Sequence, residues 1–282
     1  MKTKNKLCLS FLIGILIAPI LPESLVLAGE EQRAPPEART AGTLGPAVMR
    51  AISQIQEMMQ PEDPDDEPDL EGAKAELDDL YNRRFERMND FEKQTVLNFY
   101  TNYWLTLENY PEAINTFEQL LEIEDLREDT RLRTLRSLGQ LTAAEERWRD
   151  SIKYYELWRD SSLEEDDVVY RGLSYAHYQI DELAEALPYW ISYMELLLSE
   201  GEELGRDDYS YLNGLYFQLE DFEKALPLTK TMVVLFDEQT DWTNLSAVYA
   251  SLDDEERRVR SMNVAYLKGM LDDENRFLNL GQ

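Results

Sequence analysis

From Phe91 onward, apolar residues recur every three or four places, and proline and glycine become scarce. The pattern predicts amphipathic α-helices in close succession. Five windows share one internal register. Each runs from a bulky opening residue to a small-residue place sixteen positions later: Leu97 to Ala113, Leu135 to Ser151, Tyr170 to Ala186, Tyr209 to Ala225 and Trp242 to Arg258. The openings are 38, 35, 39 and 33 residues apart. Length therefore varies between windows and not within them, as expected when extra residues fall in loops.

Upstream, Ala47 to Met59 places Val48, Ile52 and Ile55 on one helical face. Leu70 to Met88 predicts a second helix, with Ala73 and Leu77 in the small and bulky places. An acidic insertion, residues 60–71, separates the two. Residues 47–88 thus read as a degenerate N-terminal capping repeat, and residues 91–282 as five repeats with a C-terminal tail. Residues 29–46 hold Pro35, Pro36, Gly42, Gly45 and Pro46, the composition of a flexible linker.

The N-terminus has another character. Lys2, Lys4 and Lys6 precede an apolar run from Leu7 to Ile17, and Val26-Leu27-Ala28 offers a cleavage site. This is the pattern of a secretory signal peptide over residues 1–28, cut after Ala28. The run is short for a membrane span and is followed by Pro19 and Pro22. Cys8 lies at the start of that run, where lipid attachment does not occur. Cleavage leaves a chain without cysteine, which stands on packing alone. The expected location is the periplasm.

Composition narrows the chemistry. Lys and Arg number 28 against 57 Asp and Glu, for a formal charge of −29. Such a chain repels phosphate, so no nucleic-acid partner is expected. With one His and one Cys, no catalytic triad, zinc cluster or cofactor motif can be built. Asp63, Asp65 and Glu67 alternate like a calcium loop, but Pro68 stands where the sharp turn needs Gly, so the reading is a solvated acidic loop. The chain is expected to be neither enzyme nor metalloprotein.

The repeat is similar to the tetratricopeptide pattern W-x2-L-G-x2-Y followed by A-x3-F. Trp242, Leu245, Ser246 and Tyr249 carry its first half, and Tyr110-Pro-Glu-Ala113-Ile-Asn-Thr-Phe117 its second. Tyr209, Leu212 and Tyr216 repeat the first half, and His177 replaces the tyrosine after Tyr170 and Leu173. The expected fold is all-α, a right-handed solenoid of antiparallel helix pairs. Trp104, Trp190, Trp242 and His177 are expected in its core.

Segments 98–121 and 242–271 further resemble periplasmic tetratricopeptide proteins encoded beside TonB, ExbB and ExbD in gammaproteobacteria. That resemblance implies an accessory of energised uptake, with TonB or its motor components as partner. It also leaves room for a cell-envelope scaffold serving peptidoglycan synthesis or outer-membrane assembly. An envelope hydrolase with an acidic pair is the rival from another class.

In such a solenoid the first helix of each pair lines the concave side. Side chains one place after each opening residue point there: Asn98, Arg136, Arg171, Ser210 and Thr243. Four places on come Asn102, Gln140, Tyr175, Gly214 and Ala247. Asn98, Asn102, Arg136, Gln140, Arg171 and Tyr175 form the candidate peptide-binding groove, loosely resembling grooves that grip a C-terminal carboxylate. The competing reading pairs the arginines with Glu124, Glu128 and Glu165.

Overall fold

The computed structural model describes residues 42–63 and 65–271. The signal-peptide reading of residues 1–28, most of the linker and residues 272–282 lie outside that range. Twelve α-helices and no strand occur among the described residues. They are α1 (Pro46–Met59), α2 (Leu70–Arg84), α3 (Asp90–Thr106), α4 (Tyr110–Leu121), α5 (Glu128–Ala144) and α6 (Trp148–Ser161). Then follow α7 (Asp167–Gln179), α8 (Leu183–Glu200), α9 (Arg206–Gln218), α10 (Phe222–Leu235), α11 (Gln239–Ser251) and α12 (Glu255–Leu267). Consecutive helices pack as pairs, and the second helix of each pair also meets the first helix of the next. No helix among the described residues is long and apolar enough to cross a membrane.

The turn inside a pair explains the constant register. Glu108, Glu146, Asp181, Glu220 and Asp253 each follow a first helix by two residues and adopt positive φ, between 53° and 62°. The next backbone N–H then reaches back to the helix end: Asn109 to Trp104 O, Arg147 to Thr142 O, Glu182 to His177 O, Asp221 to Tyr216 O and Asp254 to Tyr249 O. This is a Schellman closure, which fixes how many residues fit between the two helices. Asn109, Asp221 and Asp254 then cap the second helix through their side chains.

Small residues set the distance between paired helices. Ala113, Ser151, Ala186 and Ala225 are wholly buried on the second helices. Ser151 Oγ donates to Gly139 O at 2.8 Å, so its hydroxyl is satisfied in the core. The most constrained contact belongs to Tyr155 of α6. Its ring passes between Gly139 of α5 and Gly172 of α7, where an added Cβ would lie 2.5 Å and 2.4 Å from ring carbons. No other residue leaves room for the ring there.

Residues 42–45, which composition groups with the linker, lie along α3. Gly45 N–H donates to Glu92 Oε1 at 2.8 Å, and Leu44 packs on the cluster around Ile52, Ile55 and Leu77. Pro46 opens α1 at the place where a missing N–H costs nothing.

Candidate functional site

The first helices α3, α5, α7, α9 and α11 bury the opening residue's face against their partners. Leu97, Leu135, Leu138, Leu173, Leu212 and Leu245 are all buried. The adjacent stripe stays accessible. Asn98 is exposed, and Asn102, Arg136, Gln140, Arg171 and Tyr175 are half-buried. The first helices are also tied sideways. Gln94 Nε2 meets Thr130 Oγ1 at 3.5 Å between α3 and α5. Tyr211 hydroxyl donates to Ser174 O at 3.3 Å between α9 and α7. Arg206 grips Asp241 between α9 and α11, at 2.9 and 2.8 Å. The stripe is thus carried by a row of helices fixed to one another.

Arg136 and Arg171 both act on the Tyr155 phenol through charge. Tyr155 reaches between α5 and α7; burial raises its phenol pKa, and both guanidiniums oppose that rise. Arg136 Nε lies 3.2 Å from Asp166 Oδ2. The N–H is not aligned for a hydrogen bond, so the pair is held by charge alone. Asp166 also caps α7, accepting from Val169 N at 3.0 Å. Arg171 makes no ion pair among the described residues, and its guanidinium lies 5.9 Å from the Tyr193 ring centre. Tyr175 packs edge-on against Trp148 at 5.7 Å.

The arginine neighbours inferred from sequence therefore differ from those found. Glu165 accepts from the Tyr170 hydroxyl at 3.0 Å, and Asp166 takes Arg136. Arg136 is a tie between repeats and Arg171 is the available cation. Burial pushes the Asp166 carboxyl above its ordinary range, and Arg136 opposes that shift. A carboxyl raised in the folded state opposes folding once it ionises, so Arg136 contributes most at neutral pH. Arg136→Ala is expected to cost about 1 kcal/mol at pH 7, a modest figure because the side chain is partly exposed. The difference from wild type should shrink as pH falls and Asp166 protonates. Urea denaturation at pH 7 and pH 4 checks this, and an equal loss at both would remove Asp166 from the account.

Charge along the first helices is segregated. Acidic residues crowd the first turns, at Asp90, Glu92, Glu128, Asp129, Asp167, Asp207, Asp208 and Asp241, where the helix dipole favours them. After that turn they stop. Residues 97–106, 135–144, 170–179, 209–218 and 242–251 contain no Asp or Glu, although 57 of 282 residues are acidic. Burial does not explain the exclusion. Asn98, Ala144, Gln179, Ser210, Gln218, Thr243 and Ser251 are exposed yet uncharged. The stripe offers amides, hydroxyls and tyrosines, with Arg136 and Arg171 near its middle.

Comparison with known proteins bears on the fold. No protein-family model matches this chain, and no curated protein matches it in sequence. Among solved structures, YrrB superposes with a TM-score of 0.50 at 14% identity, over 70% of this chain and 97% of its own. Its structure is described as a TPR protein with an unusual peptide-binding site. The fold is a tetratricopeptide-like solenoid. MamA aligns at 17% identity with a TM-score of 0.48, over 63% of this chain and 92% of its own. BtubC from P. vanneervenii aligns at 16% identity and 0.44, over 81% and 94%.

Within this solenoid Trp190 is buried as expected, and its indole N–H donates to Asp208 O at 3.0 Å. His177 is buried too, with Nδ1 2.9 Å from Glu182 Oε2. Trp104 and Trp242 are only half-buried, contrary to expectation. Trp242 stands in the last pair, where its N–H bonds Asp237 and its ring carries Lys268 at 5.3 Å. Trp104 borders a cavity instead of filling one. Tyr155 stands at the aromatic place after Ser151 in the second repeat and is buried there, whereas Asp166 and Asp241 carry no signal in the sequence pattern. The acid-free stretches are the available signal for the stripe as a whole.

Proposed function

We propose that this chain is a non-catalytic adaptor that binds an extended protein segment along its first helices. The carrying observation is the absence of acidic residues from an exposed stripe in so acidic a chain. A solvated surface would share the charge of the rest; a surface meant to lie against a peptide backbone is better neutral and rich in amides and hydroxyls. Asn98, Asn102, Gln140 and Tyr175 supply those groups, and Arg171, with Arg136 beside it, supplies the anchor for a carboxylate. The peptide-binding site of YrrB supports the same reading by analogy of fold.

The finer assignment rests on the family resemblance and on the N-terminal pattern. The chain is delivered to the periplasm by residues 1–28 and serves a TonB system, with TonB or its motor components as partner. Calorimetry with a TonB periplasmic segment tests it. Arg171→Ala is expected to weaken binding about tenfold, the size of one charge-assisted hydrogen bond. Stability should be nearly unchanged, because Arg171 has no ion pair to lose. Binding that ignores Arg171 would move the interface off the stripe. No binding by the wild-type chain would refute the TonB assignment and return the envelope scaffold.

A further inference from the structure

A cavity of about 220 Å³ opens between the second helices α2 and α4. Its floor is one face of α3: Leu97, Tyr100 and Trp104. One wall is Asp78 and Tyr81 of α2; the other is Glu112, Asn115 and Gln119 of α4. Tyr81 hydroxyl donates to Gln119 Oε1 at 3.0 Å and bridges the two walls.

The cavity has a cause in the sequence. Nineteen places after the opening residue, the second repeat has Tyr154 and the third has Tyr189, whereas the first has Thr116, the fourth Leu228 and the fifth Ser261. Tyr154 is buried, and its hydroxyl donates to Glu118 of the preceding second helix. Tyr189 stacks on His177 at 5.6 Å and receives a hydrogen bond from Arg159 at 2.9 Å. In the first repeat the ring is missing, and on the α3 face behind it Leu97 and Tyr100 are buried while Trp104 keeps surface. Trp104 is half-exposed for the same reason.

The lining is suited to a cation. Lys74 from α2 already holds its ammonium 5.3 Å from the Trp104 ring centre and 5.6 Å from that of Tyr100. It also pairs with Asp78 at 2.7 Å, so that carboxylate is compensated. Glu112 on the other wall has no ion pair among the described residues. The volume is below that of sites for whole small molecules, and fits one side chain. We propose that this cavity accepts a single lysine or arginine side chain of a basic protein segment, its charge held by Glu112 and its stem lying against the half-buried Trp104. The net charge of −29 draws such a segment toward it. The site is separate from the stripe of the first helices and does not depend on the function proposed for it.

The test follows the Trp104 indole N–H signal by nuclear magnetic resonance, assigned by its loss in Trp104→Phe. The probes are the N-acetyl methylamides of arginine, lysine and citrulline. The two cations should shift the signal saturably, and neutral citrulline should bind about tenfold more weakly. Glu112→Gln should weaken the cations several-fold. Thr116→Tyr, which restores the ring of the next repeat, should abolish the shift while circular dichroism stays helical. If that variant does not fold, Glu112→Gln decides alone. Equal binding of citrulline, no shift with either cation, or unchanged binding in Glu112→Gln or in a folded Thr116→Tyr overturns the proposal.

Discussion

Replacing Arg206 with Met is expected to destabilise the last helix pair by about 3 kcal/mol, within the range found when a buried ion pair loses one partner. Asp241 has no exposed side-chain surface, while Arg206 retains 26%. The guanidinium meets both carboxylate oxygens, at 2.9 and 2.8 Å, and also reaches Glu238 at 3.3 Å. Without it a carboxylate stays buried with only the Glu238 backbone N–H, at 3.0 Å, for company. The damage should be local, because each pair in a solenoid contacts only its neighbours. Hydrogen exchange should accelerate in α11 and α12 and remain unchanged in α1 to α6. Adding Asp241→Asn removes the stranded charge and keeps the bond to Glu238, so the double variant should recover at least half the loss. A single variant that loses less than about 1 kcal/mol would mean that water reaches Asp241.

Glycine at all five turns should act in the other direction. An L-residue in the left-handed region costs roughly 1–2 kcal/mol, and glycine avoids this at some entropic expense. Glu108, Glu146, Asp181, Glu220 and Asp253 all stand there. The five replacements together should stabilise the array by on the order of 4 kcal/mol, read as a rise in melting temperature. The three glutamates should contribute more than the two aspartates, because a short acidic side chain bonds locally and tolerates this conformation better. Removing five negative charges also relieves repulsion. A parallel set with Gln and Asn at the same places removes the charge and keeps the strain. If that set stabilises as much as glycine, the gain was electrostatic.

The parts of this fold legible in sequence are those set by local chemistry. A sixteen-residue interval between Tyr209 and Ala225 is fixed by one helix, one three-residue turn and one helix start, all contiguous in the chain. Contacts that cross repeats are harder to read. Arg136 has Glu128 two helical turns before it in sequence, yet it faces Asp166, thirty residues away at the start of the next pair. Which acid it meets depends on how α7 lies beside α5. That in turn depends on Gly139 and Gly172 admitting the Tyr155 ring. Trp104 reads as core because a bulky residue in that place usually is; its exposure follows from Thr116, on another helix. Periodicity alone places the stripe residues Asn98, Asn102, Gln140 and Tyr175, since four-residue spacing keeps side chains on one helical face.

The exclusion of acid from the first helices has a kinetic side. Beyond about 10 Å at 0.1 M salt, an approaching chain meets only the screened field of the whole molecule, which is strongly negative. At the stripe it meets uncharged side chains and Arg171, with Arg136 already paired to Asp166. For a ligand bound as proposed, encounter and grip select for different properties. Basic residues flanking the bound stretch raise the association rate without touching the stripe, and added salt abolishes that gain. In that binding mode the dissociation rate changes less with salt than the association rate, because the amide contacts are uncharged and only the Arg171–carboxylate contact is screened. A ligand with acidic flanks shows the reverse, associating faster as ionic strength rises.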